Sequence, residues 1–238
     1  MELPIPLNAA KLLILVVVHK LFCCFLAVGA EKVHLSGLRG RVYRKKSVSL
    51  HADKRNRFMR KLRTIEMHRL SVDEFREASK LPLTVVLDNV RSLYNVGSVF
   101  RSCDAFRVEK VCLCGITATP PHPEIHKTAL GGEDSVAWEY FASASDAVRQ
   151  LHEQGCTVLA VEQAEGSTML QRLTLAPGGH YAVVLGNEVK GVQQEVVDAC
   201  DGCIEIPQFG TKHSLNVSVA AGIVVWEFAR QMLVGHAE

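Results

Sequence analysis

The sequence predicts an α/β fold built on a parallel sheet flanked by helices. Two observations carry this. From Leu83 onward, short β-branched runs alternate with segments of helical pattern, as strands joined by crossover helices require. Several of those runs are apolar at consecutive positions, which suits strands covered on both faces. With 238 residues, 48% of them hydrophobic and 22% charged, the chain has the composition of a packed globular domain and length left over for an appendage.

The predicted strands are 83–87, 110–113, 136–140, 157–161, 181–185 and 203–206. Between them, helical spacing marks 96–106, 146–154 and 193–200, the second preceded by the cap signature Ser143-x-x-Asp146. A last helix runs from Ser214 to about Leu233 and is apolar nearly all round, so it is expected to be buried against the sheet or a second subunit. Ser214, Ser218 and Ala221 or Gly222 recur along it at helical spacing, which permits close approach of another backbone.

Charge is unevenly placed. Between Arg39 and Arg69 stand twelve Lys/Arg against Asp53 and Glu66, a net of +10, whereas residues 70–238 carry 12 basic against 21 acidic, a net of −9. A polyanion partner of the core must therefore be held by a focused basic patch or by the preceding segment. Eight cysteines show no framework spacing, and most lie in apolar runs such as Val111-Cys112-Leu113-Cys114, which favours a reducing compartment. The one C-x-x-C, Cys200 and Cys203, reads as two small residues where a helix gives way to a strand, because no second ligand pair follows.

Residues 11–30 are strongly apolar, but His19 and Lys20 split them into runs of seven and ten, each too short to span a bilayer. A signal peptide is a better formal match. The favoured reading is that Met59 is the true start and that 1–58 is translated upstream sequence. That leaves 59–80 as a short N-terminal segment and 81–238 as the core domain.

In open parallel sheets ligands collect beyond the carboxyl ends of the strands. No G-x-G-x-x-G follows the first strand and no G-x-x-x-x-G-K-[ST] occurs, which excludes the usual phosphate cradles. Three strand-end loops have unusual chemistry: 88–101, 186–191 and 207–216. In the first, Asn95 suits a helix N-cap, Gly97 lets a second backbone come near, and Arg101 offers a fork for phosphate oxygens. In the second, Gly186 and Gly191 bracket Glu188, leaving bare backbone for an adenosine-like ligand. In the third, Ser214 is a cap candidate, and Asn216 is a polar side chain at an apolar helix start, so it needs a partner.

Taken in order, Asn95-x-Gly97-x-x-x-Arg101, Leu185-Gly186-x-Glu188-x-x-Gly191, and Ile206-Pro207 with Ser214-Leu215-Asn216-Val217-Ser218-x-Ala220-x-Gly222 resemble the three signature motifs of the SpoU-type (TrmH-like) RNA 2′-O-ribose methyltransferases of the SPOUT superfamily. The resemblance covers about 83–228 with motif order and spacing kept. It implies a C-terminal deep trefoil knot, an exception to the rule against threading. It also implies S-adenosyl-L-methionine held near Gly186, Ile206 and Leu215, a homodimer, and structured RNA (tRNA or rRNA) as substrate. Catalytic positions by motif are Arg101, Asn95, Glu188, Ser214 and Asn216; no metal and no stable membrane association are expected, and the setting is cytoplasmic.

The implied reaction needs an acceptor for the ribose 2′-OH proton. Deprotonating an arginine at pH 7 costs on the order of 7 kcal/mol, so Arg101 is read as a phosphate clamp and charge stabiliser, with Glu188 or water left to take the proton. Arg91 and Lys127 join Arg101 as RNA-binding candidates, Lys127 from a substrate-side loop that starts at His122. Two other readings stay open: a relative that binds RNA without methylating it, against which the intact motif residues argue, and a membrane-tethered protein built around 11–30.

Overall fold

The computed structural model describes residues 60–234. The apolar stretch, most of the basic block and Met59 lie outside the described residues. After a 3-10 turn, Thr64–Met67, comes helix α1, Val72–Glu77. Its start is a reciprocal capping box: Glu74 N–H donates to Ser71 Oγ at 3.3 Å and Ser71 N–H to Glu74 Oε2 at 2.7 Å. Phe75 carries this helix into the core, so part of the 59–80 segment is packed on the sheet domain.

The strands and α-helices that follow are β1 (Leu81–Asp88), α2 (Leu93–Ala105), β2 (Val108–Cys114), α3 (Pro123–Ala129), α4 (Gly132–Ser135), β3 (Ala137–Phe141), α5 (Ala144–Glu153), β4 (Thr157–Val161), β5 (Thr168–Met169), β6 (Tyr181–Leu185), α6 (Gln194–Ala199), β7 (Gly202–Glu205) and α7 (Val217–Ala229). Every predicted strand is present, 157–161 and 181–185 to the residue and the others within two. The two-residue β5 was not anticipated.

All seven strands form one sheet in the order β3-β2-β1-β6-β4-β7-β5, and every neighbouring pair is parallel. The chain winds outward from β1 through β2 to β3, then crosses to the other half. The reversal falls between β1 and β6, which places the loops after those strands at the switch point. Strand periodicity sorts the apolar side chains onto two faces. Leu83, Val85 and Leu87 join Val99, Phe100, Val224 and Phe228 beneath α2 and α7, while Val86, Cys112, Ala182 and Val184 meet Val148, Leu151 and Val196 of α5 and α6. Burial on both sides is why the strands read as unbroken apolar runs.

Three local expectations are corrected. Ser92, not Asn95, caps α2, accepting Asn95 N–H on Oγ at 3.3 Å, which frees the Asn95 side chain. Asn216, not Ser214, caps α7, with Oδ1 taking Ser218 N–H at 2.9 Å and Val219 N–H at 3.4 Å. The stretch around Lys127 is not a loop: Pro123 opens α3 behind His122, whose Nδ1 accepts Glu124 N–H at 3.2 Å. Ser143 does cap α5 as its signature predicted, accepting Asp146 N–H at 3.1 Å.

Gly97 sets the path of α3. A Cβ there would stand 2.2 Å from Thr128 Oγ1 and 2.3 Å from Ile125 O, so only glycine lets α2 and α3 cross so closely. The described cysteines are free thiols. Burial pushes the Cys112 and Cys200 thiols up to about 12, which keeps them protonated and unreactive at neutral pH. Among the described residues no helix is long and apolar enough to cross a membrane.

Candidate active site

The loops that leave β1, β6 and β7 meet beyond the sheet, and one carboxylate ties them together. Glu188 Oε1 accepts Ser92 N–H and the Asn95 side-chain amide, each at 3.0 Å, while Oε2 accepts Arg91 N–H at 3.0 Å. These are N–H groups at the start of α2, where the helix has no internal acceptors and its dipole favours negative charge. Asn95 passes the linkage on, since its Oδ1 accepts the Asn216 amide at 3.1 Å. Asn216 in turn caps α7 and accepts the Ser218 hydroxyl at 2.6 Å. The result is a continuous polar chain from the β6 loop through the first turn of α2 to the start of α7. The Asn216 partner that the sequence demanded is Asn95.

The β6 loop is a closed turn. Asn187 and Gly191 exchange backbone hydrogen bonds at 3.0 and 2.9 Å, and the Asn187 side chain accepts Val189 and Lys190 N–H while donating to Asn89 O at 2.8 Å. Gly186 has no room for a side chain: a Cβ would fall 2.0 Å from Gly191 C and 2.1 Å from Val192 N. Backbone rather than side chain therefore forms this wall.

Against the turn lies a cavity of about 600 Å³, within the usual range for small-molecule sites. Gly186, Glu188, Ile206, Ser214, Leu215 and Asn216 all line it. Arg101, Arg91 and Lys127 do not; Arg101 is exposed on α2 and Lys127 on α3. Asn95 stands behind the lining, reaching it through Glu188 and Asn216. Val161, Leu185, Ile206 and Leu215 are apolar members of the lining, and Glu162, Glu188 and Glu205 bring carboxylates to it alongside Lys190.

Glu162 and Gln163 were missed from the sequence. They follow β4, a strand end like the three loops that were singled out, and that position was the available signal. Glu162 Oε2 accepts Val192 N–H at 3.1 Å, and Gln163 Nε2 donates to His213 O at 2.6 Å, so both brace the site.

Burial acts to raise the Glu188 pKa, but donation from Arg91 N–H, its own N–H, Ser92 N–H and the Asn95 amide outweighs it and holds the carboxyl below its ordinary value. Both oxygens are already accepting. A carboxylate so satisfied is a weak base, and removing a proton from a ribose hydroxyl would require breaking the bonds that order the loops. In this structure the Glu188 carboxylate holds the loops together through its hydrogen bonds.

Fold and cavity together define an α/β enzyme domain with its ligand site at the strand ends. The model of the SpoU rRNA Methylase family matches residues 82–226, more than half of the chain, and the chain belongs to that family. It is 32% identical over 168 residues to the tRNA (guanosine(18)-2′-O)-methyltransferase of Thermus thermophilus, covering 71% of this chain and 84% of the relative. It is 30% identical over 169 residues to the 23S rRNA (guanosine-2′-O-)-methyltransferase RlmB of Vibrio vulnificus, covering 71% and 67%. Among solved structures, the AdoMet-bound rRNA methyltransferase from Sinorhizobium meliloti is similar at a TM-score of 0.60 and 28% identity, covering 65% of this chain and 61% of that one.

Proposed function

We propose that this chain is an S-adenosylmethionine-dependent methyltransferase acting on the 2′-hydroxyl of a ribose in tRNA or ribosomal RNA. The carrying observation is the Glu188–Asn95–Asn216 linkage, which holds three strand-end loops in one arrangement around a cavity suited to the cofactor. The fit is chemical as well as spatial. Apolar walls suit an adenine ring, the Gly186 wall offers bare backbone, and three carboxylates favour a ligand that carries positive charge. Gly186, Ile206 and Leu215 are assigned to hold it. When bound, S-adenosylmethionine supplies an electrophilic methyl group for a ribose oxygen.

The chain's own residues position and stabilise. Glu188 fixes the first turn of α2, Asn95 and Asn216 lock the start of α7 against it, and Ser214 stands on the cavity wall where the ribose enters. Arg101 clamps the neighbouring phosphate and steadies the developing alkoxide by charge.

Arg101 does not line the cavity of its own chain, and we assign it to the site of a second copy. The exposed face of α7 supports a homodimer: Val219, Ile223 and Trp226 recur at helical spacing and are 52%, 37% and 47% exposed. A C-terminal trefoil knot is part of the proposal on the strength of the three motifs, as the family resemblance implies; 206–216 is held at His213 by Gln163 and at Asn216 by Asn95. The methyltransferase domain is assigned to 81–238, with Lys127 as a phosphate contact and the cytoplasm as the setting.

An Arg101→Lys variant tests the clamp. It is expected to bind S-adenosylmethionine normally by calorimetry and to lose about a hundredfold in kcat on RNA, as when a transition-state charge donor is removed. Turnover near that of the wild type contradicts a bidentate role for the guanidinium.

A further inference from the structure

The 186–191 turn has a cavity on each side. The second, about 440 Å³, shares Asn187, Val189, Lys190 and Gly191 with the first but is otherwise walled by different residues. Its floor is the end of β1. There Asp88 is wholly buried, and its Oδ1 accepts Asn89 Nδ2 at 2.7 Å and Gln193 Nε2 at 3.3 Å. Arg91 and Lys190 bring two cations to the lining, and Ile116 and Val189 bring two aliphatic side chains that are 65% and 78% exposed. The methyl-transfer roles assigned above use neither Ile116 nor Gln193.

Two exposed aliphatic side chains beside a polar floor and paired cations offer one unstacked nucleotide what it needs. Apolar flanks take the faces of the base, the exposed Gln193 amide takes its edge, and the cations take phosphate. The charge of the rest of the domain sharpens the point, because residues 70–238 carry 12 basic against 21 acidic groups. A cleft lined by two cations in such a background is a place where a polyanion can be held locally. The two cavities are also coupled. Arg91 N–H is one of the groups that donate to Glu188, so the carboxylate that orders the first cavity fixes the backbone from which the Arg91 side chain enters the second.

We infer that the second cleft receives one unstacked nucleotide of the RNA substrate beside the ribose that is methylated. The ligand's identity rests on the RNA methylation reading above; the cleft and its chemistry do not. Ile116→Asp and Arg91→Ala are the informative variants, because neither side chain lines the first cavity and both residues are exposed. Arg149→Ala, on the exposed side of α5, serves as the control.

Binding of a fluorescent tRNA transcript and a 23S rRNA hairpin transcript is measured by anisotropy at fixed salt, S-adenosylmethionine binding by calorimetry, and methyl transfer in parallel. Each cleft variant is expected to weaken the binding of at least one transcript about tenfold, which is 1.4 kcal/mol, and to raise KM for it, with cofactor affinity unchanged. Loss of Arg91 also lowers the salt dependence of binding by about one counterion. Variants that bind both transcripts as the wild type does overturn the cleft, even where methyl transfer proceeds. Variant-sensitive RNA binding without any methyl transfer retains the cleft and removes the enzymatic reading. A wild-type chain that binds neither transcript overturns both.

Discussion

At the scale of single residues, the account turns on Glu188. Its carboxylate is an acceptor for the first turn of α2, not a free base, and this has a measurable signature in stability. A group whose folded pKa is depressed stabilises the fold above its unfolded pKa and loses that contribution as pH falls through the folded value. Glu188 is of this kind, lowered from 4.5. Glu188→Gln places an amide donor against backbone donors and is expected to cost about 1 kcal/mol at pH 7, the typical worth of a helix cap. Urea denaturation across pH checks this: the gap between wild type and variant should persist from pH 7 to pH 5 and close as pH drops well below 4.5. A gap independent of pH would mean that the carboxylate charge does not hold the loops.

At the scale of elements, Gly97 gives the plainest test. Alanine is the better helix former by about 1 kcal/mol. Yet its Cβ would collide with Thr128 Oγ1 and the Ile125 carbonyl, so α3 must shift. Gly97→Ala is expected to lose about 1–3 kcal/mol net, read as a lower Tm, as overpacking does; a Tm at or above wild type contradicts the crossing. The strands were legible because a sheet covered on both faces leaves them continuously apolar, and α5 because Ser143 and Asp146 announce its cap. What failed was choice between chemically equivalent caps. Ser92 and Asn95 both suit the start of α2, as Ser214 and Asn216 suit that of α7, and spacing does not say which one folds into the role. Helix α3 was hidden because seven residues opening on proline are too few for a periodic pattern. Glu162 was hidden because a lone carboxylate after a strand looks like a solvated turn until Val192 N–H is seen to need it.

At the scale of the whole molecule, the site is a junction of loops from both halves of the sheet, and the motif residues are far apart in sequence because the switch point lies between β1 and β6. The acidic background of residues 70–238 puts the weight of RNA binding on a few cations, so affinity should depend on position more than on bulk charge. Which residues converge in one chain is clear, and Arg101 is exposed outside that cavity, so its part in the site belongs to the proposal of a second copy. The most direct test of the central claim is methyl transfer from labelled S-adenosylmethionine to total tRNA and ribosomal RNA, followed by digestion to nucleosides and identification of the labelled species. The account predicts label in a 2′-O-methylated nucleoside, lost in Arg101→Lys; label on a base, or RNA left unlabelled by a chain that binds the cofactor, would contradict it.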